Sequence, residues 1–210
     1  MTCMRTITRL CAFGALLATA TSCGDVVRTG RSPVMLIINN LQGSPGGGFG
    51  AGTFSNVLHS DVQVVVNTPT PPCPCPTFFS DNGQAIISLA LKDIGTTSTP
   101  LAPTTNNQVT LTRYRVEYYR ADGRNTPGVD VPFSFDGAIT ATVPAGGQLQ
   151  IGFELVKHVA KEESPLSQLI TSPSIITTIA HVTFYGTDAV GNVVSVTGQI
   201  QVDFANFGDA

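Results

Sequence analysis

The segment TIAHVTFYG (178–186), followed shortly by VSVTGQIQVDF (194–204), decides the fold of this chain. In both segments an apolar residue occupies every second position and a polar residue lies between. In the first segment the apolar set is Ala180, Val182 and Phe184, and the polar set is His181, Thr183 and Tyr185. A repeat of two is typical of a β-strand with one dry and one wet face. With the turn signal Gly191-Asn192 between them, the two segments predict an antiparallel hairpin.

The same alternation recurs elsewhere in the chain. It covers 85–92, 113–118 and 149–155, and shorter strands are predicted at 35–39, 62–66 and 139–143. One short helix is predicted near 164–171, with Pro165 in its first turn. About eight antiparallel strands with one apolar face each must stack as two sheets to hide those faces. The predicted fold class is therefore all-β, an antiparallel two-sheet β-sandwich over residues 33–210.

Two hairpins resemble known families. Residues 182–192 and the alternating strand after them resemble the last hairpin of bacterial immunoglobulin-like domains, and residues 114–119 with Asp122-Gly123 resemble the middle hairpin of fibronectin type III domains. The chain has no Trp and no cysteine pair on facing strands, so an antibody-type core is not expected. The resemblance implies an immunoglobulin-like adhesion or scaffold module on a cell surface.

The first 22 residues have the layout of a secretory signal. Arg5 and Arg9 precede an apolar run at 10–20, and no acidic residue is present. The run is too short to span a bilayer, which needs about 20 apolar residues. Residues 20–24 (ATSCG) resemble the bacterial lipobox, which implies a lipid on Cys23. Ala20 departs from the usual Leu, so cleavage after Ala20 or Ser22 without lipidation remains open.

These features predict the cellular location of the protein. Residues 1–22 are expected to be a removed signal peptide, and residues 23–32 a tether between membrane and domain. The residue after the lipidated position is Gly24. In this respect the chain resembles lipoproteins that are not retained in the inner membrane. The protein is thus expected to be a lipid-anchored lipoprotein of the bacterial cell envelope, at the outer membrane.

Two cysteines remain in the folded part. Cys73 and Cys75 lie in TPTPPCPCP (68–76), which is expected to be extended polyproline. They can be thiols without a role or form a strained Cys73–Cys75 disulfide. A zinc site is disfavoured, because tetrahedral zinc takes four ligands and only His59 is near enough to add one.

Composition and motifs exclude several functions. Removing residues 1–22 leaves 9 Lys and Arg against 14 Asp and Glu, a formal charge of −5, which argues against nucleic acid. No nucleophile-elbow, zinc-protease or phosphate-loop motif is present. The adjacent carboxylates Glu162 and Glu163 are expected to be a solvated surface pair. No enzymatic activity, cofactor or metal is expected.

An alternative function is a carbohydrate- or calcium-dependent ligand-binding sandwich. Calcium takes six or more oxygen ligands, which loop carboxylates can supply. The candidate loop oxygens are Asp61, Asp122, Asp130, Asp136, Asp188 and Asn192. The outward tyrosines Tyr119 and Tyr185 could stack on sugars.

The preferred prediction is a non-enzymatic interaction or structural module. If 110–119, 178–186 and 194–204 are neighbours in one sheet, their polar residues share one surface. That surface would carry Arg113, Arg115, Glu117, His181, Thr183, Tyr185, Thr197, Gln199, Gln201 and Asp203. Arg and Tyr are enriched at the centres of protein interfaces. Its expected partner is an envelope protein or a glycan.

Overall fold

A computed structural model describes residues 31–69 and 72–208, without the side chains of 67–74. The predicted signal peptide, Cys23 and nearly all of the predicted tether lie outside these residues. The strands are β1 (Val34–Ser44), β2 (Val57–Asp61), β3 (Val64–Pro69), β4 (Pro72–Thr77), β5 (Asp81–Leu91), β6 (Val109–Tyr119), β7 (Phe135–Val143), β8 (Leu149–Val156), β9 (Ile176–Asp188) and β10 (Val193–Ala205).

The strands form two main sheets and a separate hairpin. One sheet has three strands in the order β1-β5-β8, and the other has five in the order β2-β10-β9-β6-β7. Within these sheets neighbours are antiparallel except β2 and β10, which are parallel. Strands β3 and β4 pair only with each other. The predicted all-β sandwich is confirmed.

The apolar faces of the two sheets meet in one core. Phe184 of β9 is fully buried, and its ring lies 5.3 Å from that of Phe153 and 6.3 Å from that of Tyr114. The Tyr114 ring covers Gly137 so closely that a Cβ there would come within 2.2 Å of it. An aromatic cluster therefore fills the centre of the core, and Gly137 is needed to admit it.

The short helix predicted near 164–171 is present as a 3-10 helix, and an α-helix before it was not predicted. Residues Leu166–Ile170 form a short 3-10 helix inside the predicted 164–171. The α-helix α1 lies earlier, at His158–Glu162. It is only about one turn and a half long and closely follows β8, so it offers too little periodicity for the sequence to reveal it.

The polyproline prediction was wrong. Residues Pro72–Thr77 form strand β4, with Val66 opposite Cys75 and Val64 opposite Thr77. Proline occupies alternate positions of β4, so the missing N–H donors all face one edge. The other edge keeps the N–H groups of Cys73, Cys75 and Thr77 and can pair.

The sandwich has two unlike ends. At one end β1 begins, β5 runs into the loop 92–104, and β9 turns into β10 at 189–192. We call this the proximal end. The opposite, distal end carries the glycine-rich loop 45–56, the β3–β4 hairpin, the loop 120–134 and residues 157–175 with α1.

Asp188 closes the β9–β10 turn at the proximal end. Its carboxylate accepts hydrogen bonds from the backbone N–H of Val190 (3.1 Å) and of Asn192 (2.8 Å), and from the Asn192 side chain (2.9 Å). Desolvation opposes ionisation here, but these bonds and one from Ser32 prevail and lower the pKa of Asp188 below its ordinary value. The turn is thus stabilised by the ionised carboxylate.

Asp188→Asn is expected to lower the free energy of unfolding by about 1 kcal/mol at neutral pH, because an amide replaces an acceptor oxygen. A depressed carboxyl pKa adds stability above the unfolded value of about 3.9, and that stability is lost as pH falls through the folded pKa. The difference between wild type and variant should therefore shrink as the pH falls below about 4 and vanish once the pH is below the folded pKa. Urea titrations at several pH values measure it; a pH-independent difference would contradict this role.

Candidate functional site

The outward side of the five-stranded sheet brings the predicted surface residues together. Cross-strand pairing sets Arg113 opposite Tyr185, Arg115 opposite Thr183, and Glu117 opposite His181. On the other side of β9, Thr183 faces Thr197 and His181 faces Gln199. We call this outward side the polar face. The dry residues between these positions, such as Val116 and Val182, are fully buried.

Two arginines and an aspartate form the centre of the charge pattern. Arg113 Nη1 donates to Asp136 Oδ1 and Arg115 Nη1 to Asp136 Oδ2, each at 2.9 Å. Arg115 also donates through Nε to Glu117 (3.1 Å) and through Nη2 to Ser134 (3.0 Å). The bond to Glu117, with the other nearby acids, raises the pKa of Arg115 above its ordinary value. Both guanidinium groups are thus held in fixed orientations.

Aromatic rings extend the same surface. The Arg113 guanidinium carbon lies 3.9 Å from the centre of the Tyr185 ring, a cation–π contact. Further along, the rings of Tyr119 and His181 lie 4.6 Å apart. Tyr119 remains 39% exposed, and Ile179 beside it in the next strand is 37% exposed. The polar face therefore offers both fixed charges and accessible apolar area.

The edge of the polar face near β2 is anchored by Asp203. Gln201 donates its side-chain N–H to both oxygens of Asp203, at 3.1 and 3.0 Å. His59 Nδ1 lies 3.5 Å from Asp203 Oδ2, and the His59 ring meets that of Phe207 edge-on at 5.7 Å. These contacts order the rim of the face.

The candidate loop oxygens lie at both ends of the sandwich, with Asp188 and Asn192 bonded to each other at the proximal end. Asp122 lies in the distal loop 120–134, where hydrogen bonds from Arg120 and Arg124 hold its pKa well below the usual range. Asp188 is at the proximal end, and Asp136 is occupied by two arginines. Within 31–69 and 72–208 no group of three His, Cys, Asp or Glu is placed to hold a metal ion. The loop carboxylates thus do not converge on one site.

The cysteine prediction is resolved only in part. Cys75 is disulfide-bonded. The side chain of Cys73 lies outside the described ones, so the Cys73–Cys75 pairing remains a prediction.

A buried ion pair was missed by the sequence reasoning. Lys161 of α1 and Asp81 of β5 are each 1% exposed, and Lys161 Nζ lies 2.9 Å from both Asp81 oxygens. Lys161 also donates to the Asp61 carbonyl (2.7 Å), and Asp81 accepts from Ser60 (2.5 Å) and the Gly46 N–H (2.9 Å). The only sequence signal was a Lys in a polar segment. The enclosed, fully bonded pair joins four segments of the distal end.

Comparison with known proteins adds no family. No protein-family model matches the chain, and no curated protein matches it in sequence. Among the described residues, no helix is long and apolar enough to span a membrane. The polar face and the sequence itself are therefore the indications of function.

Proposed function

We propose that this chain is a non-enzymatic lipoprotein of the bacterial cell envelope, anchored through Cys23, whose sandwich docks a partner protein on the polar face. The observation that carries the proposal is the fixed Arg113–Tyr185 and Arg115–Asp136 arrangement. Because the arginines are already oriented by protein contacts, less side-chain entropy is lost when a partner binds. Arg and Tyr are also the residues that contribute most at interface centres.

The order of the strands also supports our proposal that the sandwich is immunoglobulin-like. The five-stranded sheet places β10, β9, β6 and β7 side by side. In variable-type immunoglobulin domains the strands G, F, C and C′ have this order. Such domains commonly serve recognition, although the fold alone does not fix the function.

The partner is expected to be lost when the polar face is altered. Arg115→Glu combined with Tyr185→Ala reverses a central charge and removes the ring under Arg113. A pull-down from envelope extract should recover a partner with the wild type and at least tenfold less with this variant, the equivalent of about 1.4 kcal/mol.

The matched control is Gln150→Glu with Met35→Ala. It adds one negative charge and truncates one side chain on the outward side of the other sheet. It should recover the partner at wild-type yield. Equal recovery with all three proteins, each shown by circular dichroism to be folded, would contradict docking on the polar face.

The alternative is a glycan ligand. It is favoured by the exposed Tyr119 ring beside His181, since sugars stack on flat aromatic surfaces, and Gln199 and Gln201 nearby can hydrogen-bond hydroxyls. Calorimetric binding of an envelope glycan that is lost in Tyr119→Ala, with no protein captured in the pull-down, would favour this function over protein docking.

A further inference from the structure

The proximal end differs from the rest of the domain in its charge. The segments that reach it contain long stretches without Asp, Glu, Lys or Arg: these are 32–44, 94–112, 137–153 and 189–202. Among the described residues at this end the charged ones are Arg31, Lys92, Asp93 and Asp188, and Asp188 is only 6% exposed. The distal end, by contrast, carries Asp61, Asp81, Arg120, Asp122, Arg124, Asp130, Lys157, Lys161, Glu162 and Glu163.

Apolar side chains project from the loops of the proximal end. Val190, at the tip of the β9–β10 turn, is 80% exposed, Ile94 is 72% exposed and Leu101 is 56% exposed. Ile94 and Leu101 belong to one loop, which a backbone hydrogen bond of 3.0 Å between them closes. The Ser32 side chain forms a hydrogen bond with Asp188, which precedes Val190 by two residues. The Lys92 N–H donates to the Pro33 carbonyl. The β9–β10 turn and the start of the loop 92–104 therefore lie beside Ser32 and Pro33, where the chain enters β1.

The length of the preceding segment limits where this end can be. Arg31 follows Cys23 by only about eight residues, which span at most about 30 Å when fully extended. A lipid on Cys23 would keep the proximal end within that distance of the bilayer. The 13-residue strands β9 and β10 place the distal end about 40 Å further along.

We propose that the proximal end rests on the lipid bilayer, with Ile94, Leu101 and Val190 in the headgroup region, so that the sandwich stands upright and the distal end points away. Three observations carry this: the exposed apolar tips, the small number of charged residues around them and their position at the tether. Transferring apolar side chains from water to the interface is favourable, whereas charged loops would resist it. Of the exposed charges near the tips, Arg31 favours anionic lipids and Asp93 disfavours them. The proposal rests on the proposed function in one respect: the lipid on Cys23 would keep the proximal end close to the bilayer.

The absence of Trp from the chain makes a direct test available. Val190→Trp and, as a matched control, Val129→Trp place a single reporter at an exposed valine of the proximal and distal end; Val129 is 65% exposed. The processed full-length protein is isolated from membranes, weighed by intact-mass spectrometry and mixed with vesicles of phosphatidylethanolamine and phosphatidylglycerol containing brominated lipid. We expect the indole emission of the Val190→Trp variant to shift to the blue and to be quenched at least twofold more than that of the Val129→Trp variant.

A second set of variants tests the same contact without Trp. In the Cys23→Ala background, where no lipid holds the protein on a vesicle, Ile94→Asp with Leu101→Asp and Val190→Asp should weaken vesicle flotation. Phe49→Asp with Val129→Asp and Ile175→Asp at the distal end should not. Equal quenching of the two Trp variants, or equal flotation of the two triple variants, would overturn the proposal. A mass without lipid would remove the anchor of the proposed function, yet selective quenching of the Val190→Trp variant would still support contact of the proximal end with the bilayer.

Discussion

Lys161→Met is expected to lower the free energy of unfolding by about 3–5 kcal/mol at neutral pH, because it leaves a buried carboxylate without its counter-charge. Asp81 is enclosed on all sides and keeps only the Ser60 hydroxyl and the Gly46 N–H as partners. Burial already raises the pKa of Asp81, against the opposing effect of Lys161 and the hydrogen bonds. Removing the ammonium raises that pKa further.

The sign of the pH dependence follows. A carboxyl whose pKa is higher in the folded state binds more protons there, so the stability of Lys161→Met should recover as pH falls from 7 toward about 4. Urea denaturation at several pH values measures both effects. Adding Asp81→Asn to Lys161→Met should restore part of the loss at neutral pH, since no buried charge remains.

The control for this pair is Lys157→Met. Lys157 lies just before α1, and its ammonium sits 4.4 Å from the centre of the Phe135 ring. Because this contact is a partly exposed cation–π pair, its loss should cost no more than about 1 kcal/mol. A Lys161→Met protein as stable as this control would contradict the role of the buried pair.

Phe184→Ala is expected to destabilise the domain by a similar amount, about 3–5 kcal/mol. The ring is fully buried between Phe153 and Tyr114, so its removal leaves a cavity that the sheets cannot close. The change should appear as a lower midpoint in chemical denaturation with an unchanged slope.

Tyr185→Ala is the matched control, because it removes the neighbouring ring on the opposite side of the same strand. It should cost about 1 kcal/mol or less, as substitutions on a partly exposed face usually do. Similar losses of unfolding free energy in Phe184→Ala and Tyr185→Ala would mean that β9 does not have one buried and one exposed side.

Much of the fold could be predicted because side-chain alternation reports directly on a sheet with one buried face. That pattern predicts the strands β6, β9 and β10 and their outward residues. Their placement side by side was a condition taken from the resembling folds, and the structure confirms it and brings Arg115, His181 and Gln199 onto one surface. The strands 35–39 and 62–66 were bounded less well: the structure extends the first to Ser44 and places the second at Val64–Pro69 (β3). Strand β2 (Val57–Asp61), just before it, was not predicted. A bulge between Ile38 and Asn40 interrupts the period of β1 and hid its continuation.

The remaining features depend on contacts distant in sequence. Nothing near Lys161 indicates that a carboxylate 80 positions earlier will lie beside it. Asp136 likewise was taken for a loop oxygen, because its partners Arg113 and Arg115 reach it across the β6–β7 pairing. Strand β4 was missed because its prolines suggested polyproline, and only the partner strand β3 makes the alternate N–H groups useful.

The pairing of β1 with β5 also bears on how the molecule carries load. Ten residue pairs join these antiparallel strands along their length, and the chain enters β1 at the proximal end. In the arrangement proposed above, with the N-terminus tethered and a partner bound on the polar face, a pull on the N-terminus would run along the axis of β1. The hydrogen bonds lie across that axis, so they would be loaded together in shear instead of opening one after another. A module built in this way can transmit tension between a membrane and a partner without first losing its edge strand.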